Sequence, residues 1–352
     1  MSDRRLLVIA NERENARQAS VRRTLAALRD ANLIDDFRVF SPALREDDEE
    51  NPGRDLLSVS SAAHWKPSVT LALHPAGWKL RNSELQMLAD RVRGRWIYYE
   101  GDPYGAIQHT LPRPSRLIAR RADVAFTVGT GTFRRNLERA GSKDVRWAPS
   151  AFDSDQIPPL NTDVEREFDF VMIANRNEPR LPFRALPGAR ARVAFVEGMQ
   201  ATFGERFAIW GHGWEGPSAR GPLAFGDQGT AIQSAWFSVN WDHFPKEPSY
   251  FSNRLPISMA SGSFHLSSHH PGYDSIFRAA RGIAFADSPR KLVELAEQSI
   301  STWPEAKLKE EIRAGRQWAF ETLRSEYQVV RFLRAGGIDV SDDELRESLD
   351  HV

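Results

Sequence analysis

Residues able to meet a negative charge stand at 252–254, where Ser252, Asn253 and Arg254 precede a short helical pattern that stops at Gly262. The first backbone N–H groups of a helix have no partner within it, so a helix start attracts anions. Asn253 would add a fixed donor and Arg254 a permanent forked charge, a combination suited to a phosphate or diphosphate. The plainer reading makes Arg254 half of a structural salt bridge and Asn253 a cap. Other candidates recur in one kind of place, directly after a short apolar run. They are His74, Glu100 and Asp102 in the first half, and Asn175, Arg176, Gly211-His212-Gly213-Trp214, Asp242 and His243 in the second. A carboxylate such as Glu100 or Asp102 facing a hydroxyl could act as a general base or orient it, and His74 offers the same chemistry. The alternatives are an Asx turn at Asp102 and a histidine that only packs. Two glycines around His212 let backbone come close to something, either a base and ribose beside His212 or Trp214, or a tight turn around a packed tryptophan.

The elements that must position these residues alternate. Apolar runs at 6–10, 37–40, 69–73, 96–99, 124–128 and 145–148 read as strands, with helical patterns at 17–31, 83–93 and 132–140, the last stopping at Gly141. An acidic loop falls at 45–52. Residues 150–164 carry Pro158-Pro159 and no periodicity, which predicts a linker. The pattern then restarts, with strands at 168–173, 207–210, 237–241, 264–267 and 282–286 and helices at 190–203, 230–235 and 288–300. A long helical region at 304–333, kinked or divided, and an acidic tail complete the chain. This alternation predicts an α/β fold of two facing Rossmann-like domains with long C-terminal helices. The expected divisions are 1–155, 165–303 and a helical segment 304–352. Ligands of open parallel sheets sit beyond the carboxyl ends of the strands, where the candidates from His74 to His243 fall, so a functional cleft between the domains is expected.

Composition narrows the partners. Lys plus Arg number 47 and Asp plus Glu 47, so zero formal charge gives no global attraction to nucleic acid or anionic membrane. Locally, arginines at 113, 116, 120, 121, 134, 135 and 139 form either a solvated helix face or a basic patch for DNA, an anionic lipid or a polymer. The absence of cysteine excludes disulfides, a thiolate nucleophile and cysteine-held metal, which fits a reducing cytoplasm. The run at 6–10 is too short for a signal-peptide core, and no apolar stretch is long enough to span a bilayer. A cytoplasmic protein without stable membrane insertion is expected. Adjacent His269 and His270 point in different directions and Asp242-His243 lacks a spaced partner set, so no metal site is predicted.

The second half resembles the nucleotide-sugar domain of group 1 glycosyltransferases of the GT-B fold, and most nearly the spore-maturation-protein-like branch. The strand Phe168-Asp169-Phe170-Val171-Met172-Ile173 with Ala174-Asn175, the strand and turn Phe207-Ala208-Ile209-Trp210-Gly211-His212-Gly213-Trp214, the helix and strand at 250–267, and His270-Pro271-Gly272 carry the likeness. Tyr98-Tyr99-Glu100-Gly101-Asp102-Pro103 and the run at 122–129 look like late strands of the partner domain. The resemblance implies a hexosyl-type, retaining, metal-independent transfer from a nucleotide-sugar, UDP-linked by preference, that serves as co-substrate without further cofactor. It implies that 165–303 holds the donor, with Arg254 and then Arg176 meeting the diphosphate and Tyr250 in the signature segment, and that the acceptor enters over 1–155. That acceptor is a carbohydrate, a small molecule or nucleic acid. One departure stands out: Ile257 occupies the position where such families carry a glutamate for the donor ribose, and Asp242 or Asp274 would have to replace it. The glycine-rich turn often found after the first strand is also missing, with Ala10-Asn11-Glu12-Arg13 in its place. The rivals are a glycosyltransferase that modifies DNA bases, a GT-B-like binding module without catalysis, and a sugar-nucleotide epimerase.

Overall fold

The computed structural model describes residues 4–12, 17–42, 66–78, 80–161, 165–177 and 185–350; the loop expected at 45–52 lies outside them. By its contacts the chain forms two units, Met1–Ala148 with Ser325–Val352, and Pro149–Arg324.

In the first unit β1 (Arg5–Ile9) leads through α1 (Ala19–Asp30) to β2 (Asp36–Phe40), and β3 (Val69–Leu73) through α2 (Asn82–Arg91) to β4 (Arg95–Glu100). Next come α3 (Arg113–Arg121), β5 (Val124–Thr127), α4 (Thr132–Ala140) and β6 (Val145–Trp147). The sheet is wholly parallel in the order β2-β1-β3-β4-β5-β6. β3 is buried along its whole length, and β1 at all but its first residue, which is why they read as continuous apolar runs and not as alternating ones. On α1 the buried residues Val21, Leu25 and Leu28 recur at helical spacing and give the helix one face to pack.

The second unit repeats the plan. β7 (Phe168–Ile173), α5 (Ala189–Phe203), β8 (Phe207–Trp210), β9 (Ala219–Gly221), α6 (Gln228–Gln233) and β10 (Ala235–Asn240) are followed by α7 (Arg254–Ser261) and β11 (Phe264–Ser268). A single turn α8 (Tyr273–Ile276), β12 (Ile283–Ala286), α9 (Pro289–Thr302) and α10 (Glu305–Thr322) complete it. Its order is β12-β11-β10-β7-β8-β9, again parallel. Phe170 of β7 anchors the core, with its ring 5.2 Å from Phe237 and 4.4 Å from Phe203. Because β7 proceeds to β8 on one side while β10 lies on the other, the strand order reverses at β7/β10. That reversal opens a crevice at the carboxyl edge of the sheet.

Two expectations change. The run at 150–164 is no free linker where it is described: Phe152 is buried, its N–H donates to the Leu323 carbonyl at 3.1 Å, and Ser150 Oγ donates to the Phe251 carbonyl at 2.7 Å. The segment 304–352 divides, since α10 belongs to the second unit while α11 (Ser325–Gly336) and α12 (Asp342–Asp350) pack on α1 of the first. There Phe332 of α11 lies against Tyr99 and Phe126 of the sheet, at ring distances of 5.1 and 4.9 Å.

Candidate functional site

At the carboxyl edge of the second sheet, Arg254 is the first residue of α7. Its Nε donates to the Ile173 carbonyl at the end of β7, 2.7 Å away. That bond fixes the stem of the guanidinium, and among the described residues its two Nη groups meet no hydrogen-bond acceptor. Pro256 falls in the first turn of α7, where a missing N–H costs nothing. Asn253 precedes the helix, exposed, with a side chain that makes no capping bond. Ser252 Oγ is buried and has no hydrogen-bond partner among the described residues.

Arg192 was not among the sequence candidates. It lies on the buried face of α5 with Phe195, Val196 and Met199 and is 1% exposed. Its Nε donates to the Trp241 carbonyl at 2.7 Å, and Nη1 donates to His243 Nε2 at 2.7 Å, so that ring nitrogen is an unprotonated acceptor. Arg192 Nη2 is buried and has no partner among the described residues. Burial, and then the charge of Arg254, push this guanidinium below its usual value, while Asp242 and Tyr250 act the other way. A buried cation with an unmet donor is costly, and an anion placed beside it would relieve that cost.

Asp242, just beyond β10, is buried with it. Oδ1 accepts from Asn240 Nδ2 at 2.9 Å, and Oδ2 lies 3.4 Å from His270 Nε2. Burial would raise its pKa, but the His270 hydrogen bond and the charges of His270, Arg192 and Arg254 outweigh it and hold the carboxyl well below the usual range. His270 in turn faces the Glu247 carbonyl through Nδ1, 3.2 Å away, and stacks on Tyr273. The two adjacent histidines do diverge: His270 is buried, while His269 stands 3.6 Å from both Asp274 and Asp287. Tyr250 is buried and accepts from the Tyr273 hydroxyl through its carbonyl at 2.7 Å. Two guanidinium groups around one ionised carboxylate leave the β7/β10 crevice with an excess of positive charge.

Beside it, the ends of β7 and β8 form a hollow of about 540 Å³ lined by Asn175, Arg176, Asn177, His212 and Gly213. Asn175 Oδ1 accepts from the His212 N–H at 2.9 Å, and Trp214 Nε1 donates to the Ala174 carbonyl at 2.5 Å. The Arg176 guanidinium stands over the Trp214 ring at 5.8 Å. Gly211 makes this closeness possible, because with φ at +145° a Cβ there would sit 2.2 Å from the Ala174 carbonyl oxygen. Of the two acids offered as substitutes for Ile257, Asp242 points into the buried network and Asp274 is exposed. Ile257 itself is buried in α7.

The first unit brings its three candidates together at its own carboxyl edge. Oxygen and nitrogen atoms of His74, Glu100 and Asp102 lie within 4.8 Å of one another, a spacing that a cation could also use. Glu100 is already well supplied with donors: Oε2 accepts from Tyr98 at 2.5 Å and from Ser115 of α3 at 2.8 Å, and Oε1 accepts from the Asp102 N–H at 3.2 Å. His74 Nδ1 lies 3.5 Å from Glu100 Oε1. Burial lowers the His74 pKa, yet the Glu100 hydrogen bond and the charges of Asp102 and Glu100 prevail and raise it. Gly101 matters here too, since a Cβ on it would meet His74 Cε1 at 2.4 Å.

An NMR titration should therefore find the His74 midpoint above the ordinary histidine value, and Glu100→Gln should bring it down, with melting measured alongside to exclude unfolding. The sign for stability follows. The extra stability from charged His74 is complete below the unfolded midpoint of about 6.5 and is lost as pH rises through the folded one.

A family model described as glycosyl transferase-like matches residues 190–333. No curated protein matches the chain. Solved structures match along nearly its whole length at low identity. Sucrose-phosphate synthase from Thermosynechococcus elongatus is 12% identical with a TM-score of 0.59, covering 94% of this chain and 98% of that one. The Anabaena protein HepE, in complex with UDP and glucose, is 11% identical with a TM-score of 0.55 and 99% coverage of both. The DNA-modifying enzyme β-glucosyltransferase is 10% identical with a TM-score of 0.58, covering 98% of this chain and 99% of that one. The two parallel six-stranded sheets with their helices are the GT-B fold. Among the described residues no helix is long and apolar enough to cross a membrane.

Proposed function

We propose that this protein transfers a sugar from a nucleoside-diphosphate sugar, UDP-linked by preference, to an acceptor hydroxyl. The observation that carries the reading is the pair Arg254 and Arg192 at the strand-order reversal of the second unit, each with guanidinium donors unmet among the described residues. Departure of a nucleoside diphosphate develops negative charge, and fixed donors in a partly buried site stabilise that charge most strongly. The start of α7, with Ser252 and Asn253, would add backbone N–H groups to the same phosphates. The hollow at Asn175, Arg176, His212 and Gly213, with Trp214 and His243 behind it, would take the nucleoside, and Tyr250 would back the segment from within. With Ile257 apolar and Asp242 committed inward, Asp274, exposed and 3.6 Å from His269, is the carboxylate left for the ribose.

His74, steadied by Glu100 and flanked by Asp102, would handle the acceptor hydroxyl. Neutralisation by two arginines suits a metal-independent reaction. Retention of configuration and the spore-maturation-like affinity enter through the resemblance of the helix and strand at 250–267. Support comes from the glycosyl transferase-like family model and from fold neighbours described with UDP or UDP-glucose.

Thermal unfolding against UDP, GDP, ADP and TDP tests the reading. The cognate diphosphate at about a hundred times its dissociation constant should add about 2.7 kcal/mol of stability. No stabilisation by any of them would leave a binding module without catalysis as the better reading.

A further inference from the structure

The arginine cluster of the first unit is not absorbed by this reading. Arg113, Arg116 and Arg120 stand on the outer face of α3 along a groove of about 710 Å³ shared with Gln86, Ala89 and Asp90 of α2. All three are exposed, and among the described residues none has a hydrogen bond or ion pair. Neighbouring Arg121 contrasts with them, since it donates to the Ala89 and Gly94 carbonyls and covers the Trp96 ring. Intervals of three and four residues place the free charges about 4.5 and 6 Å apart along the helix axis. Arg113 also sits in the first turn, where the helix dipole disfavours a cation, and no acidic residue there offsets it. Like charges at these spacings repel one another. Among the described residues the fold offers these guanidinium groups no partner, and an external polyanion would supply one. Residues 101–148 carry nine Lys or Arg against four Asp or Glu, so the excess is regional even though the whole chain is neutral.

We infer that this groove docks the phosphodiester backbone of double-stranded nucleic acid, and that the acceptor hydroxyl belongs to it; the second clause rests on the transfer reading above. Among the described residues no aromatic side chain lines the groove, so they offer no platform for unstacked bases, and the ligand is held through its phosphates. The same helix ties the groove to the acceptor-side cluster. Ser115, on its inner face, donates to Glu100, while Arg113 and Arg116 flank it outside. A duplex along α3 would therefore lie within about one helix diameter of His74 and Glu100.

The test is fluorescence anisotropy of a labelled 20-base-pair DNA duplex with the full chain. The same strand unpaired, phosphatidylserine vesicles and inorganic phosphate serve as competitors, and UDP stabilisation is measured on each protein. Three phosphate contacts predict affinity about 40-fold weaker at 200 mM than at 50 mM salt. In R113A/R116A/R120A that salt dependence should largely vanish while stabilisation by UDP is unchanged. No duplex binding at low salt, equal binding by the triple variant, or preference for unpaired strand, vesicles or phosphate would overturn the inference. Duplex binding without any UDP effect would instead leave the docking in place and remove the transfer reading.

Discussion

Arg254→Ala is expected to lower sugar transfer by about a hundred- to a thousand-fold, the usual effect of removing one fixed donor from a developing negative charge. The change takes away both unmet Nη groups and the bond that holds them at the Ile173 carbonyl. Stability should fall by only about 1 kcal/mol, the net value of that one hydrogen bond. Arg254→Lys separates charge from geometry: a compact ammonium keeps the sign but cannot hold the Ile173 carbonyl and fork toward a diphosphate together. It should recover part of the rate and little of the affinity. Steady-state release of the nucleoside diphosphate, with melting of each variant as control, measures both quantities. A variant that is fully active, or inactive only because it is unfolded, would make Arg254 structural.

Gly211→Ala should damage the fold itself. The new Cβ would lie 2.2 Å from the Ala174 carbonyl oxygen and 3.0 Å from the Asn175 nitrogen, both backbone atoms that cannot swing aside, at a φ that side chains avoid. Forcing β7 and the β8 turn apart there should cost about 3–5 kcal/mol and lower the melting temperature by about 10 °C. The lining of the hollow proposed for the nucleoside would be lost with it. Gly221→Ala is the control, because its φ is also positive but nothing stands within 4 Å of the added carbon. It should cost about 1–2 kcal/mol. Equal losses in the two variants would show that backbone conformation, and not collision at Ala174, makes Gly211 necessary.

Much of the architecture is legible in the sequence because parallel strands are buried on both faces. The apolar run of β3 marks 69–73, and β7 likewise fills 168–173. β9 escapes, since Ala219–Gly221 is a three-residue edge strand with a central arginine and a glycine, and has too little apolar surface to announce itself. The division at 324/325 escapes too, because helical periodicity reports that a helix has a buried face and not which sheet that face meets.

The site divides along the same line. His74, Glu100 and Asp102 follow strands that pair side by side, so parallel topology alone gathers them. Arg192 is separated from Trp241 and His243 by about fifty residues and is joined to them only by folding. Its one local signal was an arginine in register with the apolar stripe of Phe195, Val196 and Met199, a position where burial demands partners. His270 gave less still: it meets Asp242 only in the folded chain, which the chemistry of a His-His pair does not foretell.

A crystal structure of the protein with UDP would locate the diphosphate outright. The β-phosphate should lie at hydrogen-bond distance, about 3 Å, from Arg254 and from Nη2 of Arg192, with the uracil beside His212 and Trp214. UDP held elsewhere in the second unit, with its phosphates away from both guanidinium groups, would contradict the proposed donor site.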